Sequence, residues 1–462
     1  MNQQYDAIVI GSGQGGTPLS MALASAGLRT TLVERKHVGG TCINEGCTPT
    51  KTMVASGRVA YLARRAADYG IHTGPITVDM KKVRQRKRDI VDSFRNGNQS
   101  HVEKTANLEL IFGEASFTAA KTILVRMNDG GQRTMSAERI FINAGTRAAV
   151  PKVDGLDSVP FLDNISIMEL GDLPEHLMIM GGGYIGLEFG QLFRRLGSKV
   201  TIVQSGGQLL THEDPDIAEE ITKILRQDGI AIMLNAKALR VSQSNRSIRL
   251  EVGSQQGSVT VTGSHLLVAT GRVPNSDTLN LSAANIRTNE RGFIEVNERL
   301  ETSAPDIYAL GDIKGGPAFT HISYDDFRIL RGNLLEHKAL STKDRQVPYC
   351  VFLDPQLGRV GLTETEARAQ GRKIRCAKLP MTSVARALEV DETRGFMKAV
   401  VDSESNQILG AAVLGIEGGE IMSVLETAMM GGLPYTALRD ATYAHPTLAE
   451  SLNNLFMAMD RQ

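Results

Sequence analysis

The residues best suited to chemistry in this chain are two cysteines with four residues between them, in the run Gly39-Gly40-Thr41-Cys42-Ile43-Asn44-Glu45-Gly46-Cys47-Thr48-Pro49-Thr50-Lys51. At that spacing two thiols can close a small disulfide loop where the backbone turns sharply, and Gly46 supplies the conformational freedom for such a turn. Pro49 suits the first turn of a helix. Cys47 is therefore expected just ahead of a helix N-terminus, where the dipole and unpaired N–H groups favour a thiolate. Taken alone, such a pair is also readable as two buried cysteines or half a metal site. A zinc site needs a second close pair of ligands, whereas Cys350 and Cys376 lie far from each other without a nearby histidine and read as structural. No metal ligands are assigned. A redox-active pair is the better reading because of the elements around it.

The run Tyr5 to Ile10 reads as a strand, followed by Gly11-Ser12-Gly13-Gln14-Gly15-Gly16, a helical stretch and a second strand from Thr30 to Val33 ending at Glu34. This is a βαβ dinucleotide fingerprint. Gly11 allows the tight turn, Gly13 the approach of a pyrophosphate, Gly16 the packing of helix on strand, and Glu34 can accept from a ribose. The pattern recurs at Leu177 to Met180, Gly181-Gly182-Gly183-Tyr184-Ile185-Gly186 and Lys199 to Val203. Two such sites imply two cofactors, with a dithiol as the electron path. At the ribose position the second copy carries Gln204 and then Ser205, Gly206 and Gly207. Neither the acid usual for NAD nor the basic residues usual for a 2′-phosphate is present, so the choice between NADH and NADPH stays open.

Between the copies, Ile140-Phe141-Ile142-Asn143-Ala144-Gly145-Thr146 returns to the first domain, and Leu266 to Arg272 closes the second. The strand Ile307 to Leu310 then ends in Gly311-Asp312, which can bring a carboxylate to a sugar-like chain. This order predicts one domain inserted within another. From about Val347 the texture changes to strands such as Tyr349 to Leu353 and Phe396 to Asp402, with helical stretches at Thr363 to Gln370 and Gly419 to Met430. That region is expected to serve assembly. Near its end, His445 precedes Pro446, with Glu450 five residues on, a pair suited to proton transfer beside a thiol.

The 462 residues exceed one hydrophobic core. Lys plus Arg and Asp plus Glu both total 51, so no overall field draws the chain to nucleic acid or acidic membrane. The basic run Lys81-Lys82-Val83-Arg84-Gln85-Arg86-Lys87-Arg88 lacks interleaved aromatics and reads as a solvated helix face. The start of the chain passes straight into a strand, and no apolar run approaches membrane-spanning length. A cytoplasmic protein acting on a small molecule is expected, in which a close thiol pair cycles rather than staples.

With both fingerprints, the Cys-x4-Cys segment, the Gly-Asp strand and the His-Pro-Thr…Glu ending in order, the whole chain resembles the pyridine nucleotide-disulfide oxidoreductases. These include dihydrolipoamide dehydrogenase, glutathione reductase and mercuric reductase. The segments Gly46 to Lys51, Phe319 to Asp326 and Gly432 to Tyr435 are most similar to the mercuric-reductase-like branch and the flavoprotein of bacterial reactive-chlorine resistance. The resemblance implies an α/β fold with two Rossmann-like domains and a C-terminal α+β dimerisation domain. FAD would be bound by a discontinuous domain over 1–148 and 273–345, NADH or NADPH by 149–272, with dimerisation through 346–462.

It also implies roles. Cys47 would face the flavin and Cys42 attack the substrate. Lys51 would lie near flavin N5 and pair with Glu188, Tyr184 would cover the nicotinamide pocket, and Asp312 would bind the ribityl chain. His445, held by Glu450, would protonate the leaving thiol across a homodimer interface. Cofactor contacts are expected at Gly11, Gly13, Gly16, Glu34, Gly40, Thr41, Lys51, Ala115, Ala144, Gly145, Gly311, Asp312, Thr320 and His321. For the nicotinamide they are expected at Gly181, Gly183, Tyr184, Ile185, Glu188, Gln204, Gly271 and Arg272. Mercuric reductases end in a vicinal cysteine pair, often carry an N-terminal metal-binding domain, and lack the His-Pro motif. This chain closes with Asn454 to Gln462, holding no such pair, and keeps His445. A reductase of a small disulfide or of a soft metal ion such as Cu(II) or Hg(II) is expected. The alternatives are dihydrolipoamide dehydrogenase and a flavoprotein redox sensor without turnover.

Overall fold

The apolar runs of the first fingerprint become the centre of a parallel sheet. The computed structural model describes residues 3–461 apart from Arg246 and Gln256, in two compact units, one built from 3–53, 81–149 and 271–345, the other from 54–80, 150–270 and 346–461. In the first unit, Gln3–Ile10 lies between Thr30–Glu34 and Gln132–Ile142, all parallel. Leu108–Ala119 and Ile307–Ala309 extend the sheet at its two ends. Alternate residues face opposite sides: Ile8, Ile10, Ile140 and Ile142 enter one apolar cluster. Ala7, Val9 and Phe141 enter the other, with Leu19 and Leu23 from the helix Gly16–Ser25. Burial on both faces explains why these strands read as continuous apolar runs. The distal parts of Leu108–Ala119 and Gln132–Ile142 pair with Thr122–Met127 as an antiparallel meander.

The chain leaves the first strand at Gly11, whose φ is 98° and whose N–H donates to the Val33 carbonyl at 2.8 Å. A Cβ there would stand 2.4 Å from the Asn143 carbonyl oxygen. Positive φ and close approach together demand glycine.

In the second unit the strands His265–Val268, His176–Met180, Lys199–Val203 and Ala231–Met233 form a parallel sheet in that order. The helix Tyr184–Leu196 follows its glycine turn. The C-terminal region is a five-stranded antiparallel sheet, with Gln356–Gly361, Ile408–Gly415 and Phe396–Asp402 at its centre. Val360, Met397, Val413, Leu425 and Phe456 build its core with the helices Gly418–Met430 and Ser451–Met457.

Buried ion pairs join this sheet to the second nucleotide fold. The Lys398 side chain, 2% exposed, reaches Asp214 at 3.0 Å, Asp216 at 3.0 Å and Glu364 at 2.8 Å. Arg359 pairs with Glu213, and Arg195 with Asp354. Burial alone would raise the Asp214 carboxyl, but hydrogen bonds from Thr365, Glu364 and Lys398 hold it well below the usual carboxylate range. Charges this far from water persist only because each has a partner.

The basic run lies on the helix Met80–Lys104. Lys81, Lys82, Arg86 and Arg88 are exposed as expected, but Lys87 is buried. It shares the inward stripe of Val91 and Val102, where the helical repeat places it. No helix among the described residues is long and apolar enough to cross a membrane.

Candidate active site

The cysteine segment is carried to the first glycine loop by its own backbone. The Gly39 N–H donates to the Ser12 carbonyl at 3.1 Å, and at Gly40 a Cβ would stand 2.6 Å from the Gly13 Cα. Only a residue without a side chain lets the Gly40–Asn44 turn of helix, which holds Cys42, rest on the loop. Cys47 then opens the helix Cys47–Arg64 with Pro49 in its first turn, where a missing N–H costs nothing. Gly46 differs from its expected role. Its φ is not in the left-handed region; glycine is needed because a Cβ would meet the Thr41 carbonyl oxygen at 2.9 Å.

Cys47 is exposed and Cys42 half-buried. The Cys47 sulfur lies 3.3 Å from Thr320 Oγ1, the first residue of the helix Thr320–Leu335. It therefore stands at the positive ends of two helices, an environment that favours an anion. Cys42 keeps its proton: the hydrogen bond to Cys47, burial and the Cys47 charge push its thiol up, and the opposing pull of Thr320 and Lys51 is weaker. Within the pair, Cys42 is thus the sulfur whose thiol form is favoured. Cys376 differs, since burial and then Glu364 push its thiol up to about 11, as suits a structural cysteine.

Around the first loop the polar groups converge. Glu34 accepts from Ser12 N at 3.0 Å, Ser12 Oγ at 2.6 Å and Lys36 N at 2.7 Å. Asp312 accepts from Thr146 Oγ1 at 3.1 Å, and Thr146 in turn accepts from Arg272 Nε at 2.7 Å. Ala144 and Gly145 are fixed through their carbonyls, which accept from the Asn275 side chain and backbone. Ala115 is buried in the strand Leu108–Ala119, and exposed His321 stacks on Phe319. This unit therefore gathers Cys42, Cys47, Lys51, Gly11, Gly13, Gly16, Glu34, Gly40, Thr41, Ala115, Ala144, Gly145, Gly311, Asp312, Thr320 and His321. Gly271 and Arg272, expected with the nicotinamide, fall here too, because Arg272–Pro274 pairs with Thr146–Ala148.

Three of its positioning residues lie inside the segments singled out in the sequence but had no role assigned there. Asn143 Oδ1 accepts from Gly16 N at 2.9 Å while its Nδ2 donates to the Leu310 carbonyl at 2.8 Å, tying the first loop to the Gly-Asp strand. Asp326, fully buried, accepts from Gly311 N at 2.8 Å and pairs with Lys314 and Arg345. Its spacing offered a signal: Ile322, Asp326 and Leu330 share one helical face, so an acid there must have partners. Ser12 holds Glu34.

The second unit holds Gly181, Gly183, Tyr184, Ile185, Glu188, Gln204, His445 and Glu450. Gln204 Oε1 accepts from Gly182 N at 2.9 Å. Glu188, 3% exposed, accepts from Phe352 N at 2.9 Å. His445 Nδ1 lies 2.9 Å from Glu450 Oε2, and its side chain is 70% exposed. A carboxylate on Nδ1 places the ring hydrogen there and leaves Nε2 turned outward for proton transfer.

Each loop fits a dinucleotide. On the second loop nothing lies within 4 Å of where a Cβ would stand on Gly183, and in the first unit the same holds at Gly145 and Gly271, on turns outside the Gly11–Gly16 loop. Each loop also presents N–H groups at a helix start and a polar side chain at the end of the next strand.

Comparison with known proteins places this geometry. Residues 5–326 match the family model of pyridine nucleotide-disulphide oxidoreductases, and residues 347–456 match the dimerisation domain of that family. The chain is 40% identical over 457 residues to the probable pyridine nucleotide-disulfide oxidoreductase RclA of Escherichia coli (strain K12), covering 98% of this chain and 99% of that one. It is 34% identical to a mercuric reductase of Bacillus cereus (100% and 72% covered) and 31% to a dihydrolipoyl dehydrogenase of Geobacillus stearothermophilus (97% and 94%). The solved Cu(II) complex of the HOCl-induced flavoprotein disulfide reductase RclA from Escherichia coli superposes with a TM-score of 0.90 at 39% identity, covering 99% of each chain. The chain belongs to the pyridine nucleotide-disulphide oxidoreductase family, as an oxidoreductase whose cofactors are FAD and NADH or NADPH.

Proposed function

We propose that the enzyme uses NAD(P)H to reduce a small disulfide or a soft metal ion, Cu(II) or Hg(II), through Cys42 and Cys47. The observation that carries this reading is the division of labour within the pair. Cys47 sits beside Thr320 at two helix N-termini, while Cys42 is half-buried and its hydrogen bond to Cys47 pushes its thiol up. The first glycine loop, Glu34 and Asp312 would hold FAD, with Lys51 near its reactive edge; Gly181, Gly183 and Gln204 would hold the nicotinamide nucleotide under Tyr184. Bound FAD supplies the two-electron exchange between nicotinamide and dithiol.

As Cys42 attacks one sulfur of the substrate disulfide, Nε2 of His445 takes the Cys42 proton; the mixed disulfide forms, and Nε2 returns that proton to the thiolate expelled. The Cys47 thiolate then attacks Cys42, closing the internal disulfide and releasing the second product as a thiolate, which takes its proton from water. With copper, two Cu(II) ions each accept one electron as the same internal disulfide closes; one Hg(II) accepts both. The exposed ring of His445 supports an active homodimer in which His445 of one copy serves the Cys42–Cys47 pair of the other. The RclA relative solved with Cu(II) supports metal as an acceptor. A thiol pair that turns over suits the cytoplasm.

Steady-state oxidation of NADH and NADPH with oxidised lipoamide, glutathione disulfide, Cu(II) or Hg(II) tests this reading. At least one acceptor should be reduced with many turnovers by the wild type and at background rate by Cys42→Ser. Equal acceptor reduction in both would contradict it. Faster oxidation of dihydrolipoamide by NAD than any NAD(P)H-driven reaction would instead show a dihydrolipoamide dehydrogenase.

A further inference from the structure

Gln204 directly follows the strand Lys199–Val203, as far from its loop's first glycine as Glu34 is in the first fold, and its side chain makes the equivalent bond. Glu34 accepts from the N–H of Ser12, the second residue of its loop, at 3.0 Å; Gln204 accepts from the N–H of Gly182, the second residue of its own, at 2.9 Å. The loop N–H requires an acceptor and not a charge, so the amide oxygen satisfies it. The amide nitrogen is thereby turned to the loop that follows, donating to the Gln208 carbonyl at 3.3 Å.

Two consequences bear on the adenosine ribose of a bound nucleotide. A carboxylate here would accept from a 2′-hydroxyl and repel a 2′-phosphate; the neutral amide does not repel either. Residues 204–210 contain no lysine or arginine to reward the phosphate. Among the described residues, the backbone N–H groups of Ser205, Gly206 and Gly207 have no protein acceptor, and Ser205 and Gly207 are exposed. They offer neutral donors to hydroxyl or phosphate alike.

We propose that Gln204 is the specificity-determining residue of the second site and makes it indifferent to the 2′-phosphate. NADH and NADPH are then accepted with kcat/KM values within about tenfold of each other. This rests on reading the second fold as the nicotinamide site.

The test is calorimetric titration of the FAD-loaded, oxidised enzyme with NAD+ and NADP+, alongside acceptor-free rates of flavin reduction by NADH and NADPH. The wild type should show affinities and reduction rates within tenfold for the two nucleotides. Gln204→Glu, which restores the charge of Glu34 in the same frame, should lower the NADP+ to NAD+ affinity ratio at least tenfold. A wild-type preference beyond tenfold in either direction overturns the proposal, as does a Gln204→Glu protein that loses both affinities in equal proportion. If that variant does not fold, the wild-type ratio still decides. Binding of neither nucleotide would overturn the assignment of the second site itself; failure of every acceptor with intact nucleotide binding would count against the proposed reaction alone.

Discussion

The molecule carries the same nucleotide-binding frame twice, and the two copies differ in what they attach to it. In both, a glycine turn leaves a buried parallel strand, and the residue at the end of the next strand takes the N–H of the loop's second residue. In the first copy that residue is Glu34, doubly bound by Ser12, and the chain runs on through Gly39 and Gly40 to the cysteine pair. In the second it is Gln204, and the chain runs on through a glycine pair to Asp214, Asp216 and the buried Lys398 cluster. The frame positions the same backbone donor in both copies, and they differ in the residue at the strand end and in the segment that follows it.

The largest effect should come from removing what only the first copy has. Cys47→Ser should drop disulfide turnover to background, a loss of at least ~1,000-fold on the scale of removing a nucleophile, while the protein keeps its FAD. Activity assay with bound-flavin absorbance measures this directly. Full activity in Cys47→Ser would dissolve the contrast between the copies.

His445→Gln should slow disulfide reduction by ~100- to 10,000-fold, the usual contribution of a general acid. Rapid-mixing rates of the two half-reactions locate the effect. Equal slowing of enzyme reduction by the nicotinamide would show that the His445–Glu450 pair does not act at the sulfur step.

The anchoring of the second copy can be tested by Lys398→Met, which takes the cation from buried Asp214, while Asp216 keeps Lys378 and Glu364 keeps Arg368. Breaking a buried pair of this kind costs about 3–5 kcal/mol. Asp214, Asp216 and Glu364 are all held below their ordinary values. Their contribution is therefore present above the unfolded carboxylate range and lost as pH falls through the depressed folded values. Denaturation midpoints should differ most between wild type and variant at pH 7, the gap narrowing below pH ~4. A gap independent of pH would mean the cluster acts by packing alone.

The smallest effect is the exchange at the first strand end. Glu34→Gln keeps the acceptor for Ser12 N and loses the charge, so FAD affinity should fall roughly tenfold, about 1–2 kcal/mol for one charge-assisted hydrogen bond. Fluorescence of FAD released on dilution reads it. Unchanged affinity would mean that charge at this position matters in neither copy.

Much of this contrast was legible from the chain because its signals are local. The glycine loops, the strand-end residues Glu34 and Gln204, and the Cys42 to Cys47 spacing each lie within a few residues of what they organise. What was not legible depends on distant partners. Asn143 bonds Gly16 across 127 residues and Leu310 across 167, and Lys398 meets Asp214 across 184; no periodicity marks such pairs. The reason for Gly46 also lay beyond the sequence, since it is a contact with Thr41 and not a turn angle. Lys87 was partly readable, because its spacing from Val91 already put it on the inward stripe of its helix.

The most direct test of the dithiol relay is anaerobic stopped-flow reduction of the FAD-loaded enzyme with one equivalent of NADH or NADPH, followed by mixing with each acceptor. The account predicts a long-wavelength thiolate-to-flavin charge-transfer band, absent in Cys47→Ser, that at least one of oxidised lipoamide, glutathione disulfide, Cu(II) or Hg(II) discharges within a turnover. Full flavin reduction without that band in the wild type would place Cys42 and Cys47 outside the electron path and contradict the account.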